Sequence, residues 1–180
     1  MTFESVMNQD QPSIMNKEVY GYGILSRIIL MTSNNCYDVF EKLEKPLTFS
    51  DYLIFLQYHL FIAQKILETR YNMCDIQSIM TLALVGIVDY SDIIPYENKN
   101  DCKDMISEWY AETADYLKDI DIYDKQGLEK LADCFLQDCK IHKDIHSHLS
   151  IFLLFSSFVI HHTNDILNDK IILKNCPVKQ

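Results

Sequence analysis

Three residues in the C-terminal half of the chain have types and a spacing that suit a metal ion. Cys139, His142 and His146 stand at i, i+3 and i+7, so one continuous helix would present all three on the same face. A thiolate and two imidazoles are ligands that zinc accepts. The same spacing also fits a solvated polar face, since Lys140 and Lys143 share the segment. We expect no bound cofactor, with a divalent metal at these three residues as the alternative.

Six carboxylates form the densest charged feature of the chain. Spacings of three and four residues place them along one face of a predicted helix. They are Asp101, Asp104, Glu108, Glu112, Asp115 and Asp119. Such a face is usually only solvated. The alternative is an anionic strip that imitates a phosphate backbone or docks on a protein partner with a basic surface, and these residues are the candidate partner-binding set.

The histidines in apolar segments favour structural roles. His59 lies inside the most apolar predicted helix, where a buried, hydrogen-bonded histidine is more common than a general base. His161 and His162 lie near the end of another apolar helix, where the helix dipole favours positive charge. No Gly-rich phosphate loop, Ser-His-Asp arrangement or reactive-cysteine signature occurs in the sequence, so we expect no catalytic residue.

Apolar periodicity predicts an all-α, single-domain helical bundle that positions these residues. The central helix is predicted over 51–71, capped by Thr48 or Ser50 and apolar almost all round, as expected of a buried helix. The other predicted helices cover 17–32, 37–45, 75–88, 101–118, 128–145 and 148–167. We expect a flexible N-terminal arm at 1–15, one domain at 16–170 and a C-terminal tail at 171–180.

Composition limits the compartment and the partners. A chain of 180 residues can bury a core without disulfides, and its six cysteines include no C-x-x-C pair. Reduced, mostly buried thiols and a cytoplasmic location are therefore expected (the host cytoplasm if the protein is viral). The net charge of -10 argues against direct nucleic-acid binding. No apolar run is long enough to predict a membrane span.

Five short segments follow one another in an order that suggests a family. They are Leu25-Ser26-Arg27, Ser50-Asp51-Tyr52, Leu82-Ala83-Leu84-Val85, Asp92-Ile93-Ile94-Pro95 and Leu131-Ala132-Asp133. This order resembles that of the HD-domain phosphohydrolases, in particular their 5′-deoxynucleotidase-like branch. In that family a histidine, a His-Asp doublet and a late aspartate hold a divalent cation, which polarises a phosphoryl oxygen and activates water.

The resemblance implies an HD-like helical core from which the metal centre has been lost. Tyr52 stands at the position of the first ligand, and Gly86-Ile87 stands at the doublet. Only Asp133 matches the family's ligand type, and tyrosine, glycine and isoleucine do not replace the missing ligands. The resemblance therefore implies a degenerate member of the family without hydrolytic activity.

The leading functional expectation is a non-catalytic, acidic binding or regulatory protein. The Ile-, Asn-, Lys- and Tyr-rich composition is typical of an AT-rich genome, which favours a phage or mobile element. In that setting, we expect an inhibitor of a host defence or nucleic-acid-handling protein.

Two alternatives stay open at the level of sequence. The first is a metal-dependent hydrolase of deoxynucleoside monophosphates that uses a relocated site at His142, His146 and Asp133. The second is a small-molecule binder that keeps a nucleotide-sized pocket. Its candidate ligand-binding residues are Tyr52, Asp92, Lys99 and Asp133.

Overall fold

All regular secondary structure in the described residues is helical. The computed structural model describes residues 36–69, 80, 83, 86, 88–89 and 96–163. Five α-helices run within these residues: α1 (Cys36–Lys42), α2 (Phe49–Glu68), α3 (Lys99–Leu117), α4 (Lys125–Asp138) and α5 (Ile145–His162). A 3-10 turn over Tyr96–Asn98 leads into α3, and residues 80, 83, 86, 88 and 89 are also helical. The predicted all-α fold is confirmed. The predicted helix at 17–32, the arm and the tail lie outside the described residues.

Helix α2 is the centre of the bundle. Fourteen of its twenty residues are buried, and they occupy every side of the helix, so it has no solvent-facing stripe. Helices α3, α4 and α5 all pack against it, and α4 also packs against α5. At its start the Thr48 hydroxyl accepts from the Asp51 backbone N–H at 3.2 Å, while the Asp51 carboxylate accepts from the Thr48 N–H. This reciprocal capping box confirms Thr48 as the N-cap.

Aromatic rings fill the space between α2 and its neighbours. Phe135 of α4 is fully buried and meets the rings of Phe40, Phe55, Tyr58 and Phe155 edge-on, with centroids 5.3 to 6.3 Å apart. Edge-to-face contact is a favoured geometry for aromatic pairs, because the positive edge of one ring meets the negative face of the other. One α4 side chain thereby joins α1, α2 and α5 into a single core.

Lysines bind the C-terminal ends of two described helices, α4 and α3. Lys45 donates to the carbonyl of Cys139 at 2.5 Å, and Lys65 donates to the carbonyl of Lys118 at 2.7 Å. The last carbonyls of a helix lack backbone partners and carry partial negative charge, so an ammonium group satisfies and stabilises them.

Helix α4 ends well before the sequence predicts, which corrects the predicted helix at 128–145. Cys139 is its C-cap, and Lys140 turns the chain back with a φ of 54°. The Lys140 N–H bonds to the carbonyl of Gln137, and the Ile141 N–H bonds to that of Leu136. These two bonds are the Schellman motif, which usually has glycine at the left-handed position. Lysine at that position gives no sequence signal for a helix end.

At Gly127 the fold leaves no room for a side chain. A Cβ at this position would lie 1.9 Å from the backbone oxygen of Asp121. The Asp124 side chain caps the same turn by accepting from the N–H groups of Gln126 and Gly127. Gly127 thus lies in the first turn of α4. None of the described helices has the length and apolar composition needed to cross a lipid bilayer.

The left-handed Lys140 yields a test of this helix end. We expect Lys140→Gly to raise the free energy of unfolding by roughly 0.5–1 kcal/mol, because a Cβ in this conformation costs about 1–2 kcal/mol and the added freedom of the unfolded chain offsets part of the gain. Lys130→Gly, at an exposed position inside α4, is the matched control and should lower it by about 1 kcal/mol. Urea unfolding measures both, and equal losses from the two variants would contradict the left-handed helix end.

Candidate functional site

The six predicted carboxylates form one exposed surface, which we call the acidic face (Asp101, Asp104, Glu108, Glu112, Asp115 and Asp119). All six side chains are exposed. The five that α3 carries fall within an arc of about 80° and extend over about 21 Å, from 100° and 1.5 Å per residue. Asp119 lies in the turn that follows α3. Cys102 and Leu117 of the same helix are buried. Their burial orients the helix so that its five carboxylates face solvent.

Little positive charge neutralises the acidic face. Lys118 Nζ lies 2.9 Å from Asp115 Oδ1, and this hydrogen bond raises the pKa of the exposed lysine. Asp101, Asp104, Glu108 and Glu112 make no ion pair with any residue in the described ranges. Carboxylates this close together repel one another and create a negative potential over the helix surface, which a cationic partner would relieve.

The four predicted ligand-binding residues are not shown to share a pocket. Tyr52 is 2% exposed and belongs to the core of α2. Gly86 is helical and buried, while Ile87 and Asp92 lie outside the described residues. An open surface depression of about 490 Å³ occurs beside α1 and the loop after it. Tyr52, Lys99 and Asp133 do not line this depression.

Lys99 and Asp133 each have protein partners. Lys99 donates to the backbone carbonyl of Asp89, and Lys103 Nζ lies 2.6 Å from the Asp89 carboxylate. The two lysines therefore fasten the start of α3 to the helical residue 89. Asp133 Oδ2 accepts from Lys143 at 2.5 Å, and its Oδ1 lies 3.1 Å from His148 Nε2. The aspartate ties α4 to the loop after it and to the first turns of α5.

The one-helix arrangement predicted for Cys139, His142 and His146 is wrong. Cys139 is the buried C-cap of α4, His142 is exposed in the following loop, and His146 is exposed in the first turn of α5. The Schellman motif after Asp138 reverses the chain, so the i, i+3, i+7 spacing does not define one face. Across the described ranges, no three His, Cys, Asp or Glu side chains are grouped closely enough to hold a metal ion.

A buried histidine pair is the feature that sequence reasoning missed. His59 of α2 and His162 of α5 are both 0% exposed, and their Nε2 atoms are in hydrogen-bond contact. The ring of Phe158 stacks on His59 with centroids 4.0 Å apart and planes 5° apart. The predicted buried, hydrogen-bonded state of His59 is confirmed. Because 103 positions separate the two histidines, no local spacing could have paired them.

Burial keeps this pair uncharged at neutral pH. Burial is the main cause that lowers the pKa of both imidazoles, to about 4 for His162. One ring then donates and the other accepts in the shared hydrogen bond. His162 does lie in the last turn of α5 as predicted. The predicted positive charge there is wrong for His162, because a charged imidazole at this position would be desolvated.

The described cysteines are free and buried, as the sequence predicts. They are Cys36, Cys102, Cys134 and Cys139. Burial raises the pKa of Cys36 to about 11 and also raises the pKa of Cys139. Thiols of this kind stay protonated near pH 7 and are poor nucleophiles.

No family model, curated protein or solved structure matches this chain. The resemblance to the HD-domain phosphohydrolases therefore stays a prediction from five short motifs.

The histidine pair predicts how stability changes with pH. An imidazole whose pKa is lower in the folded state binds fewer protons there than in the unfolded chain. The free energy of unfolding should therefore fall as the pH drops below about 6.5 and continue to fall towards pH 4, by up to about 3 kcal/mol for His162 alone. Urea unfolding at a series of pH values measures this loss.

Matched variants test whether the histidine pair causes this dependence of stability on pH. His59→Leu combined with His162→Leu should flatten the decline between pH 7 and pH 5, whatever its stability at pH 7. His142→Gln removes an exposed histidine of the loop after α4 and should leave the decline as in the wild type. Equal slopes for the wild type and the double variant would show that the pair is not the cause.

Proposed function

We propose that this protein is a non-catalytic binding protein whose acidic face docks on a cationic surface of another protein. The observation that carries the proposal is the exposed row of carboxylates along α3, four of which have no cationic partner among the described residues. A row of like charges on one helix face destabilises the isolated helix. Attraction between these carboxylates and the cations of a basic partner would offset that repulsion.

The distribution of lysines supports the same proposal. Lys45 and Lys65 bind carbonyls at the ends of α4 and α3, and Lys99 binds the carbonyl of Asp89. Lys103 and Lys143 are paired with the carboxylates of Asp89 and Asp133. These cations stabilise the fold at places other than the acidic face. Negative charge is thus concentrated on a surface that the core does not need, as expected of a recognition surface rather than a structural one.

The geometry favours a protein partner that itself handles nucleic acid. Carboxylates that repeat about once per helical turn present anionic groups in a row, as a phosphate backbone does, and arginine and lysine side chains bind both. In this proposal the chain competes with nucleic acid for a basic groove, which is how an inhibitor from a phage or mobile element would act. The HD-like scaffold is the proposed ancestry and supplies no activity in this mechanism.

Two variants of equal net charge test the proposal. Glu108→Gln/Glu112→Gln removes two charges from the acidic face, and Asp38→Asn/Glu41→Gln removes two exposed charges from α1. The probe is a fluorescent helical peptide whose arginines repeat every three and four residues. We expect the α3 variant to weaken binding at least about 5-fold and the α1 variant to change it less than 2-fold, measured by anisotropy in 50 mM salt.

The salt dependence and a scrambled peptide complete this experiment. Raising the salt to 300 mM should weaken wild-type binding at least about 10-fold, because exposed charge pairs are screened. A peptide with the same arginines in scrambled order should bind more weakly than the helical one. Equal losses in the two double variants would reduce the interaction to net charge and refute the acidic face as its site.

A further inference from the structure

An exposed aromatic ring lies at one edge of the acidic face. Tyr116 belongs to the last turn of α3 and is 61% exposed. At 100° and 1.5 Å per residue, it lies about 40° around the helix from Glu112 and about 6 Å farther along the helix axis. Residues four apart are neighbours on a helix surface, so the side chain of Tyr116 adjoins that of Glu112. A ring and a carboxylate thus share one patch of α3.

A hydrogen bond between two helices holds this ring in place. The Tyr116 hydroxyl lies 3.2 Å from the Sγ atom of Cys134, a buried residue of α4. The side chain is therefore fixed at both ends, by its Cβ atom on α3 and by its hydroxyl on α4. A side chain that is already held in one position loses little conformational entropy when a partner packs on it. Tyrosine is also among the residue types that contribute most to binding energy at protein interfaces.

The described residues supply no cation to this patch. Elsewhere in the described ranges, lysine ammonium groups lie 5.7 Å and 5.5 Å from the ring centroids of Phe40 and Phe61. None of the described lysines lies over the ring of Tyr116 in this way, and none makes an ion pair with Glu112. The patch therefore presents both a carboxylate and an aromatic face to a cation from outside the described residues.

One chemical group fits a carboxylate and an adjacent aromatic ring at the same time. The guanidinium group of arginine is planar, so its face stacks on a ring while the N–H groups at its edge donate two parallel hydrogen bonds to a carboxylate. The ring attracts the cation because the face of an aromatic ring carries partial negative charge. The ammonium group of lysine is a compact, strongly hydrated point charge without a flat face, so it lacks this combination of contacts.

From the anchored ring and the adjacent carboxylate, we infer that Tyr116 and Glu112 bind an arginine side chain of the partner protein. This inference rests on the proposed function, because it names the group that the acidic face binds. The ring adds a preference for arginine over lysine to the attraction that six carboxylates have for any cation. Arginine is also the side chain best suited to bidentate binding of phosphate, so an arginine from a nucleic-acid-binding groove would fit this site.

Two peptides and a matched variant test the arginine site. The probes are the fluorescent helical arginine peptide and the same peptide with lysine in place of every arginine, both measured by anisotropy at low salt. Tyr116→Leu should weaken binding of the arginine peptide about 3- to 5-fold, the strength of one exposed cation–π contact, and should change binding of the lysine peptide less than about 2-fold. Tyr37→Leu removes a ring of similar exposure (55%) from α1 and should leave both affinities unchanged. Circular dichroism checks that each variant keeps its helices.

A double variant tests whether one arginine contacts both residues. When two side chains bind the same group, the loss of the second has less effect once the first is gone. Glu112→Gln combined with Tyr116→Leu should therefore weaken binding of the arginine peptide by less than the product of the two single effects. Asp104→Asn is the matched control, because Asp104 lies about 18 Å along α3 and about 120° around it from Tyr116. Its effect should multiply with that of Tyr116→Leu.

Three results would overturn the arginine site. An unchanged ratio of arginine to lysine affinity in Tyr116→Leu would show that the ring has no part in binding. Tyr116→Phe keeps the ring and loses the hydrogen bond to Cys134, so a ratio as low as that of Tyr116→Leu would assign the effect to the hydroxyl. Multiplicative effects of Glu112→Gln and Tyr116→Leu would show that no single arginine contacts both.

The proposed function is refuted by different measurements. A greater loss for Glu108→Gln/Glu112→Gln than for the α1 variant would still support the acidic face, even where the ratio of arginine to lysine affinity does not depend on Tyr116. Equal losses in those two double variants, or a wild type that binds neither peptide, would refute the acidic face and the arginine site together.

Discussion

The burial of helix α2 on all its sides is the constraint from which the other arrangements follow. A helix without a solvent-facing stripe must be surrounded, and α3, α4 and α5 supply that cover. Its polar side chains must then find partners inside the protein. Asp51 pairs with Lys45 at 2.5 Å, the Tyr58 hydroxyl donates to Asp138 at 2.7 Å, and His59 meets His162. These three contacts fix how α2 is oriented against the loop before it, α4 and α5.

The division of charge follows from the same constraint. Burial alone would raise the pKa of Asp51, but hydrogen bonds from Lys45 and Thr48 outweigh it and hold the pKa below its ordinary value. Lys45 and Lys65 bind carbonyls at the ends of α4 and α3. The carboxylates of the acidic face stay exposed to solvent on α3. The chain has 16 lysines and arginines against 26 aspartates and glutamates. Several described lysines stabilise the fold, while the acidic face keeps its negative charge exposed.

The acidic face of α3 is governed by different physics from the core. Interactions of exposed carboxylates act over a longer range than apolar contacts and weaken in salt. Burial of apolar area, which holds the helices together, is not screened in this way. The five carboxylates on α3 occupy regular helix positions, so their geometry is set by the helix repeat rather than by loop conformation.

The sequence by itself determined the helical class, the cap at Thr48, the central place of α2 and the alignment of the carboxylates on one helix face. Each of these depends on local periodicity or capping chemistry, which neighbouring residues encode. Only the tertiary structure decided that α4 stops at Asp138, because a lysine takes the left-handed position and Lys45, distant in sequence, binds the Cys139 carbonyl. It also decided the pairing of His59 with His162, since contacts between residues 103 positions apart leave no local pattern. The one-helix arrangement of Cys139, His142 and His146 is wrong for the same reason: it assumed that a helix would continue where the chain reverses after Asp138.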